Sequence, residues 1–160
     1  MKIDLVAIGR MKTGPERDLS NRYLERFRPL GRALGLDGIR VVELSESAAR
    51  RDEDRKAEEA VAIGAAILPG YRRVVLDERA PSLDSAAFAG RIADWRADNV
   101  PGIAFVIGGA DGLAGSMLRD ADLALSFGRM TLPHQIVRVL LAEQLYRAAT
   151  ILAGHPYHRA

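Results

Sequence analysis

The sequence of 160 residues contains no cysteine, which excludes disulfides, thiolate zinc sites and cysteine nucleophiles. Lysine is almost absent as well: only Lys2, Lys12 and Lys56 occur among 23 basic residues. Arginine suits bidentate contacts to phosphate and stacking on nucleobases, although genome composition can produce the same bias. The formal net charge of +2 is modest. The missing cysteine fits the reducing conditions of a cytoplasmic protein.

Long hydrophobic runs are also absent. The apolar run 61–68 is far shorter than the roughly 20 residues that a membrane-spanning helix needs. The N-terminal apolar segment is short, carries Asp4 and is not followed by a small-residue cleavage site, so it does not resemble a signal peptide. We therefore expect a cytoplasmic protein with no membrane partner. The length predicts a single domain over residues 1–160 with a substantial core.

Short apolar runs alternate with helical patterns along the chain. Strands are predicted over 3–8, 39–44, 73–76, 103–107 and 123–126, and helices over 17–28, 48–67, 85–99, 113–120 and 134–152. Pro29 should end or kink the first helix, and the charged segment Arg50–Glu59 should form a solvated helix face. Thr131 is expected to cap the last helix, with Pro133 in its first turn. The alternation predicts an α/β fold whose mostly parallel sheet is covered by helices on both faces.

Two glycine-containing loops follow predicted strands. Gly108-Gly109-x-x-Gly112 follows the apolar run Ile103–Ile107, which is typical of a central strand, and the segment Ser126–Leu132 follows the next strand. Glycine permits close approach of a ligand to the backbone, and ligands of open α/β sheets bind at the carboxyl ends of strands. A plain tight turn would give the same pattern, and no G-x-G-x-x-G or P-loop pattern occurs. We predict that the two loops follow neighbouring strands and together line one cleft.

The predicted last helix is apolar on more than one stripe, so we expect it to be buried on most sides. Burial within the chain and burial by a second copy are both open, and the second alternative predicts a homodimer. Glu143 and Arg147 have the spacing of a helical ion pair.

The chain ends with Tyr157, His158 and Arg159, a phenol, an imidazole and a fixed cation that suit a nucleobase and its phosphate. Chain ends are often frayed and without function. No metal site is predicted, because the histidines lack a carboxylate partner at a familiar spacing.

Four segments together resemble the RlmH family of SPOUT-class RNA methyltransferases. They are I-G-G-x-x-G-L at Ile107–Leu113, L-S-x-x-x-M-T-L-P-H at Leu125–His134, V-R-V-L-L-A-E-Q-L-Y-R-A at Val137–Ala148 and H-P-Y-H-R at His155–Arg159. The resemblance extends over the whole chain. It implies a single SPOUT-type α/β domain with a parallel sheet and a C-terminal trefoil knot, an obligate homodimer and S-adenosylmethionine as methyl donor. The implied reaction is methylation of N3 of a pseudouridine, position 1915 in the helix 69 loop of 23S rRNA, within the large subunit or the assembled 70S ribosome, with no DNA partner.

The resemblance and the glycine turn together assign candidate site residues. The cofactor-binding candidates are Leu76, Gly108, Gly109, Phe127, Gly128, Arg129, Met130, Thr131 and Leu132. The catalytic candidates are Tyr157, His158 and Arg159. Of these, His158 can accept the N3 proton or orient a water, and Arg159 can stabilise the resulting anion or grip phosphate. Two other classes stay open: a catalytically inactive ribosome-binding α/β module, and a flavodoxin-like or nucleotide-binding domain.

Overall fold

A computed structural model describes residues 1–157, in which strands and helices alternate throughout. The elements are β1 (Lys2–Ile8), α1 (Pro15–Ala33), β2 (Ile39–Leu44), α2 (Asp52–Ala66), β3 (Arg72–Leu76), α3 (Ser85–Ala97), β4 (Gly102–Ile107), α4 (Gly115–Arg119), β5 (Leu123–Leu125) and α5 (His134–Leu152). The strands form one parallel sheet in the order β2-β1-β4-β3-β5. The predicted α/β class with a parallel sheet is confirmed, and each predicted strand and helix is present.

Successive strand residues face opposite sides of the sheet, and each side has its own core. One core includes Phe105 and is covered by α1, α3 and α5. The other includes Val106 and is covered by α2 and α4. Every residue of β4 is buried, as expected of a central parallel strand with helices on both faces.

The first helix continues past Pro29 to Ala33, so Pro29 does not end it; the other predicted outcome, a kink, stays a prediction. Gly31, two residues beyond the proline, is buried, and a Cβ there would lie 2.6 Å from the ring of Phe27. The buried face of α1 therefore continues beyond the proline, where Leu30 packs against the core as well. This packing offsets the loss of one helical hydrogen bond.

The last helix begins at His134 as predicted, but its predicted cap needs correction. Pro133 occupies the N-cap position of α5 and makes no side-chain cap hydrogen bond. Thr131 is therefore not the cap, and Pro133 lies before the first turn rather than within it. The segment from Ser126 to Pro133 is an irregular connection between β5 and α5.

The charged segment Arg50–Glu59 is only partly a solvated helix face. Most of its side chains are exposed, but Glu59 is buried and accepts the backbone N–H of Ser47 at 3.0 Å. Arg55 donates from Nε to Asp111 Oδ2 at 2.6 Å. These two residues connect α2 to neighbouring loops, which the charge pattern alone did not predict.

Most of the apolar surface of α5 is buried within the chain. Leu141 and Leu145 are fully buried in the core shared with α1 and α3, whereas Ile136 is 37% exposed. The predicted ion pair is present, with Arg147 Nη2 at 2.7 Å from Glu143 Oε1. Neither α5 nor any other helix within residues 1–157 is long and apolar enough to cross a membrane.

Candidate functional site

A cleft of about 670 Å³ opens at the carboxyl ends of β3, β4 and β5. Each strand contributes its last residue to the lining: Leu76, Ile107 and Leu125. Helix α5 contributes His134 and Val137, and α2 contributes Lys56. The volume is that of a small-molecule site, and the edge of the sheet is the one at which open α/β folds bind ligands.

Both predicted glycine loops line this cleft, but they do not follow neighbouring strands. β3 lies between β4 and β5 in the sheet, and its own following turn, Asp77–Arg79, also lines the cleft. The prediction of neighbouring strands is wrong because β5, although it follows β4 in sequence, pairs with β3. The charged pair Asp77-Glu78 directly after a buried strand was the signal that could have identified this third loop.

The first glycine loop is held by close packing. Gly112 has φ +78°, a conformation that favours glycine, and its N–H bonds the carbonyl of Gly109 at 3.0 Å. A Cβ at Gly108 would lie 2.9 Å from Cγ of Leu113, and one at Gly109 would lie 2.9 Å from Cγ2 of Ile8. These glycines are therefore required by the turn itself, and they also line the cleft.

The second loop is held at its start by Ser126, whose side chain is buried. The hydroxyl of Ser126 donates to the carbonyl of Gly128 at 2.6 Å and accepts the N–H of Gly128 at 3.0 Å. The backbone N–H of Ser126 bonds the carbonyl of Pro81 at 3.0 Å. Further along the loop, Met130 is 80% exposed at the cleft. The beginning of the loop is thus fixed, while an adaptable apolar side chain stands at the opening.

The turn after β3 presents a carboxylate that is fixed in its charged form. Asp77 accepts two guanidinium N–H groups of Arg79, both at 2.8 Å, and the backbone N–H of Arg79 at 2.9 Å. The guanidinium of Arg79 holds the pKa of Asp77 below its usual range. Asp77 therefore acts as a permanent hydrogen-bond acceptor at neutral pH and is a poor general base.

Helix α2 supports the first glycine loop from outside the cleft. Arg55 bonds Asp111, which lines the cleft, and the same guanidinium lowers the pKa of that carboxyl. A Cβ at Gly109 would approach the carboxylate of buried Glu59 to 3.4 Å, so Glu59 lies directly behind the loop. Sequence analysis missed these contacts, because they join residues that are far apart in the chain.

The cleft brings together eight of the nine cofactor-binding candidates. They are Leu76, Gly108, Gly109, Phe127, Gly128, Met130, Thr131 and Leu132. Arg129 is exposed and is not among the residues that line the cleft. His134, Lys56, Asp111 and the Asp77–Arg79 turn line it as well but were not among the candidates. The cofactor-binding role of all these residues stays a prediction.

The structure places Tyr157 against α5 and outside the cleft lining. Its hydroxyl donates to Glu143 Oε1 at 3.2 Å, and its ring lies 5.1 Å from the guanidinium carbons of both Arg26 and Arg147. Burial and hydrogen bonding raise the pKa of Tyr157 to about 12, so the phenol stays protonated at neutral pH and is not a base there. The other two catalytic candidates, His158 and Arg159, lie outside the described residues.

Comparison with known proteins identifies the family. A family model described as "Predicted SPOUT methyltransferase" matches residues 1–158. The ribosomal RNA large subunit methyltransferase H of Rhodopseudomonas palustris (strain BisB5) is 58% identical over 160 residues, which cover 100% of both chains. The protein of the same name from Bradyrhizobium sp. (strain ORS 278) is also 58% identical, over 100% of this chain and 99% of that one.

Similarity of fold alone extends to proteins of low identity. A probable methyltransferase from Bordetella pertussis Tohama I has a TM-score of 0.54 at 17% identity, over 92% of this chain and 93% of that one. The full-length match to the family model and to relatives of 58% identity is far stronger. On these grounds the chain belongs to the SPOUT methyltransferase family, together with the ribosomal RNA large subunit methyltransferases H.

Proposed function

We propose that the protein transfers a methyl group from S-adenosylmethionine to RNA of the large ribosomal subunit. Its relatives over the full length are named ribosomal RNA large subunit methyltransferase H. The observation that carries the proposal is the cleft at the carboxyl ends of β3, β4 and β5, where most of the cofactor-binding candidates lie together. The family match and the site therefore support the same reaction class.

The cleft suits S-adenosylmethionine chemically. Its apolar lining, which includes Leu76 and Leu132, suits a flat adenine ring, and the glycine loops offer backbone groups to its polar edge. The carboxylate of Asp77 suits ribose hydroxyls and a cationic ligand, because it is charged at neutral pH. When bound, S-adenosylmethionine supplies a methyl group that its sulfonium has already activated.

The chain contributes chiefly by positioning the two reactants. The hydrogen bonds between Ser126 and Gly128 and the pair Arg55–Asp111 fix the loops without a ligand. A site organised in advance loses less entropy when its ligands bind, and alignment of the reacting atoms can supply a large part of the rate enhancement. Mutations that loosen these loops should therefore impair transfer even where they touch neither reactant.

Methylation at a ring N–H also requires removal of a proton. Asp77 and Asp111 are poor bases, because Arg79 and Arg55 lower their pKa values. Tyr157 is protonated at neutral pH. The proposal assigns proton removal, directly or through a water, to the imidazole of His158, and it assigns stabilisation of the anion or binding of phosphate to Arg159.

The finer assignments rest on the resemblance and form part of this proposal. The target is N3 of a pseudouridine in the helix 69 loop of 23S rRNA, and the enzyme is a cytoplasmic homodimer with a C-terminal trefoil knot. The net charge of +2 supports a ribosomal substrate, because few phosphate contacts give only weak, salt-sensitive affinity for free RNA. The knot rests on the resemblance alone.

Tritiated methyl transfer tests the reaction. The substrates are 70S ribosomes, large subunits, naked rRNA and ribosomes that lack the pseudouridine, and mapping of the labelled nucleotide identifies the atom. We expect label only in ribosomal particles that carry the pseudouridine. Equal labelling of all four substrates would contradict the assigned substrate.

Calorimetric titration with S-adenosylmethionine tests the cofactor site. Leu132→Asp places a charge in the cleft, and Leu83→Asp makes the same change at a half-exposed leucine outside it. We expect affinity to fall about tenfold or more in the first variant and to stay unchanged in the second, because burying an unpaired charge is costly. Ribosome binding by a wild-type protein that does not bind S-adenosylmethionine would favour the inactive binding module instead.

A further inference from the structure

A second cavity, of about 570 Å³, lies between α1, the edge strand β2 and α5. We call it the basic cavity, because its lining includes Arg10, Arg17 and Arg138 and only one carboxylate, Glu43. Helix α5 borders both cavities: Val137 lines the cleft, and the next residue, Arg138, lines the basic cavity. The two sites are therefore adjacent along this helix.

Two buried side chains in the basic cavity have hydrogen-bond donors to spare. Arg138 is 5% exposed and donates to Glu43 Oε1 at 2.5 Å and to the carbonyl of Gly9 at 3.4 Å. A guanidinium carries five N–H groups, so several stay unused within residues 1–157. Ser20 is 6% exposed, and its hydroxyl makes no hydrogen bond to the described part of the chain. Buried donors normally have partners, so these groups are available to water or to a ligand with acceptor atoms.

The charge of the basic cavity indicates that this ligand is an anion. Burial alone would raise the pKa of Glu43, but hydrogen bonds from Met11 and Arg138 outweigh it and lower the pKa overall. Glu43 therefore stays charged and balances Arg138. Arg10 and Arg17 are exposed and lie in no ion pair with a residue of 1–157. An excess of positive charge beside buried, unused donors is the arrangement that binds phosphate.

We propose that the basic cavity binds a backbone phosphate of the RNA whose target base enters the cleft. The identity of the anion as an RNA phosphodiester rests on the proposed function. Helix α5 lines both sites, and the proposal places the target base in the cleft and a neighbouring phosphate in the basic cavity. Arg10 and Arg17 bind the phosphate from the open side of the cavity. Arg138 and Ser20 donate hydrogen bonds to it from the buried side. Val41, which is 43% exposed in the same cavity, offers an apolar surface to the sugar.

The test uses binding of the full-length protein to purified large ribosomal subunits at several salt concentrations. The double variant Arg10→Ala, Arg17→Ala should bind about tenfold more weakly or worse. Its plot of log affinity against log salt should be less steep by about 0.7 to 0.9 for each lost phosphate contact. The matched control is Arg22→Ala, Arg28→Ala, which removes two exposed arginines from α1 outside the cavity and should change affinity by less than about twofold. Ser20→Ala should weaken binding by a smaller factor than the double variant.

Calorimetry with S-adenosylmethionine separates this proposal from the function on which it rests. Unchanged cofactor affinity in the Arg10, Arg17 variant, together with weaker subunit binding, supports a phosphate site. If the control pair weakens subunit binding to the same extent, the effect reflects total positive charge and not a specific site, and the proposal is overturned. Unchanged subunit binding in the Arg10, Arg17 variant would overturn it as well. A change in its sedimentation would assign the cavity to contact between subunits and overturn the proposal too. If the wild-type protein binds subunits through Arg10 and Arg17 but never binds S-adenosylmethionine, the phosphate site stands and the methyltransferase function fails.

Discussion

Gly108 lies where the cleft wall leaves no room for a side chain. A Cβ at this position would lie 2.9 Å from Cγ of Leu113 and 3.0 Å from the backbone carbon of Gly112. We predict that Gly108→Ala lowers the free energy of unfolding by about 1 to 3 kcal/mol, the usual cost of overpacking. It should also weaken S-adenosylmethionine binding, because the loop that moves is part of the cleft. Thermal unfolding and calorimetry measure the two effects.

Gly90→Ala is the matched control for this prediction. Gly90 lies inside α3, and a Cβ there would meet no atom within 4 Å. Alanine at an unobstructed helical position should stabilise the protein by up to about 1 kcal/mol and leave the cofactor affinity unchanged. Equal stability of the two variants would show that the loop around Gly108 can yield to a side chain.

Helix α5 holds the beginning of the C-terminal tail at a distance from the cleft. Glu143, which accepts the hydroxyl of Tyr157, lies about 9 Å along the axis from the cleft residue Val137 at about 1.5 Å per residue. We predict that Tyr157→Phe keeps methyl transfer within about threefold of wild type, because the ring still packs between Arg26 and Arg147. Tyr157→Ala should lower transfer about 100-fold through misplacement of the tail, with cofactor affinity unchanged. Single-turnover transfer to ribosomes measures both variants.

The pH dependence of stability checks the same contact. The pKa of Tyr157 is raised from 10.0 to about 12 in the folded protein, so the folded state holds this proton more tightly than the unfolded state. Its contribution to stability is complete below pH 10 and is lost as the pH rises towards 12. The wild-type protein should therefore lose stability more steeply over this range than Tyr157→Phe. For the transfer experiment on the same variant, loss of methyl transfer by Tyr157→Phe at neutral pH would assign the hydroxyl of Tyr157 a chemical role in the reaction.

The spacing of apolar residues predicted the strands and helices well where the apolar positions are also the buried ones. The bounds of β2 and α5 were predicted directly from the sequence. The apolar positions of α5 coincide with its buried face, whereas β2 is an edge strand without a fully buried residue. Pro29 does not end α1, and the buried face of the helix continues beyond it at Gly31. Thr131 resembles a cap, but the chain becomes helical only after Pro133. At both positions the residue type alone, a proline or a threonine, did not determine where the helix ends or begins.

The cleft was only half predictable for a related reason. Its two glycine loops were predicted, because glycines directly after apolar strands can be recognised in the sequence. The Asp77–Arg79 turn lines the cleft because β3 lies between β4 and β5 in the sheet. Strand order is set by packing of the whole sheet rather than by any segment. The ion pair between Arg138 and Glu43 could not be predicted from the sequence either, because the two residues lie in α5 and β2, which are far apart in the chain.

At the scale of the whole molecule, the proposed homodimer needs a surface that the single chain leaves uncovered. Leu141 is fully buried in one chain, so its substitution would report on folding. Ile136, on the same helix, is 37% exposed and is available to a second copy. We predict that Ile136→Arg shifts the protein from dimer to monomer at micromolar concentration, as measured by analytical ultracentrifugation, with the unfolding temperature of the isolated chain little changed.

Val61→Arg is the control for Ile136→Arg, because it places an arginine at an exposed apolar residue outside the proposed interface. Val61 is 74% exposed on α2, which covers the opposite side of the sheet from α5. A stable interface buries roughly 1,600 Å² in total, and a new arginine within that area must lose its hydration without a partner. The Val61 variant should therefore sediment as the wild type does. Dissociation by Val61→Arg alone would place the interface on the α2 side, and a wild-type protein that sediments as a monomer would rule out the dimer.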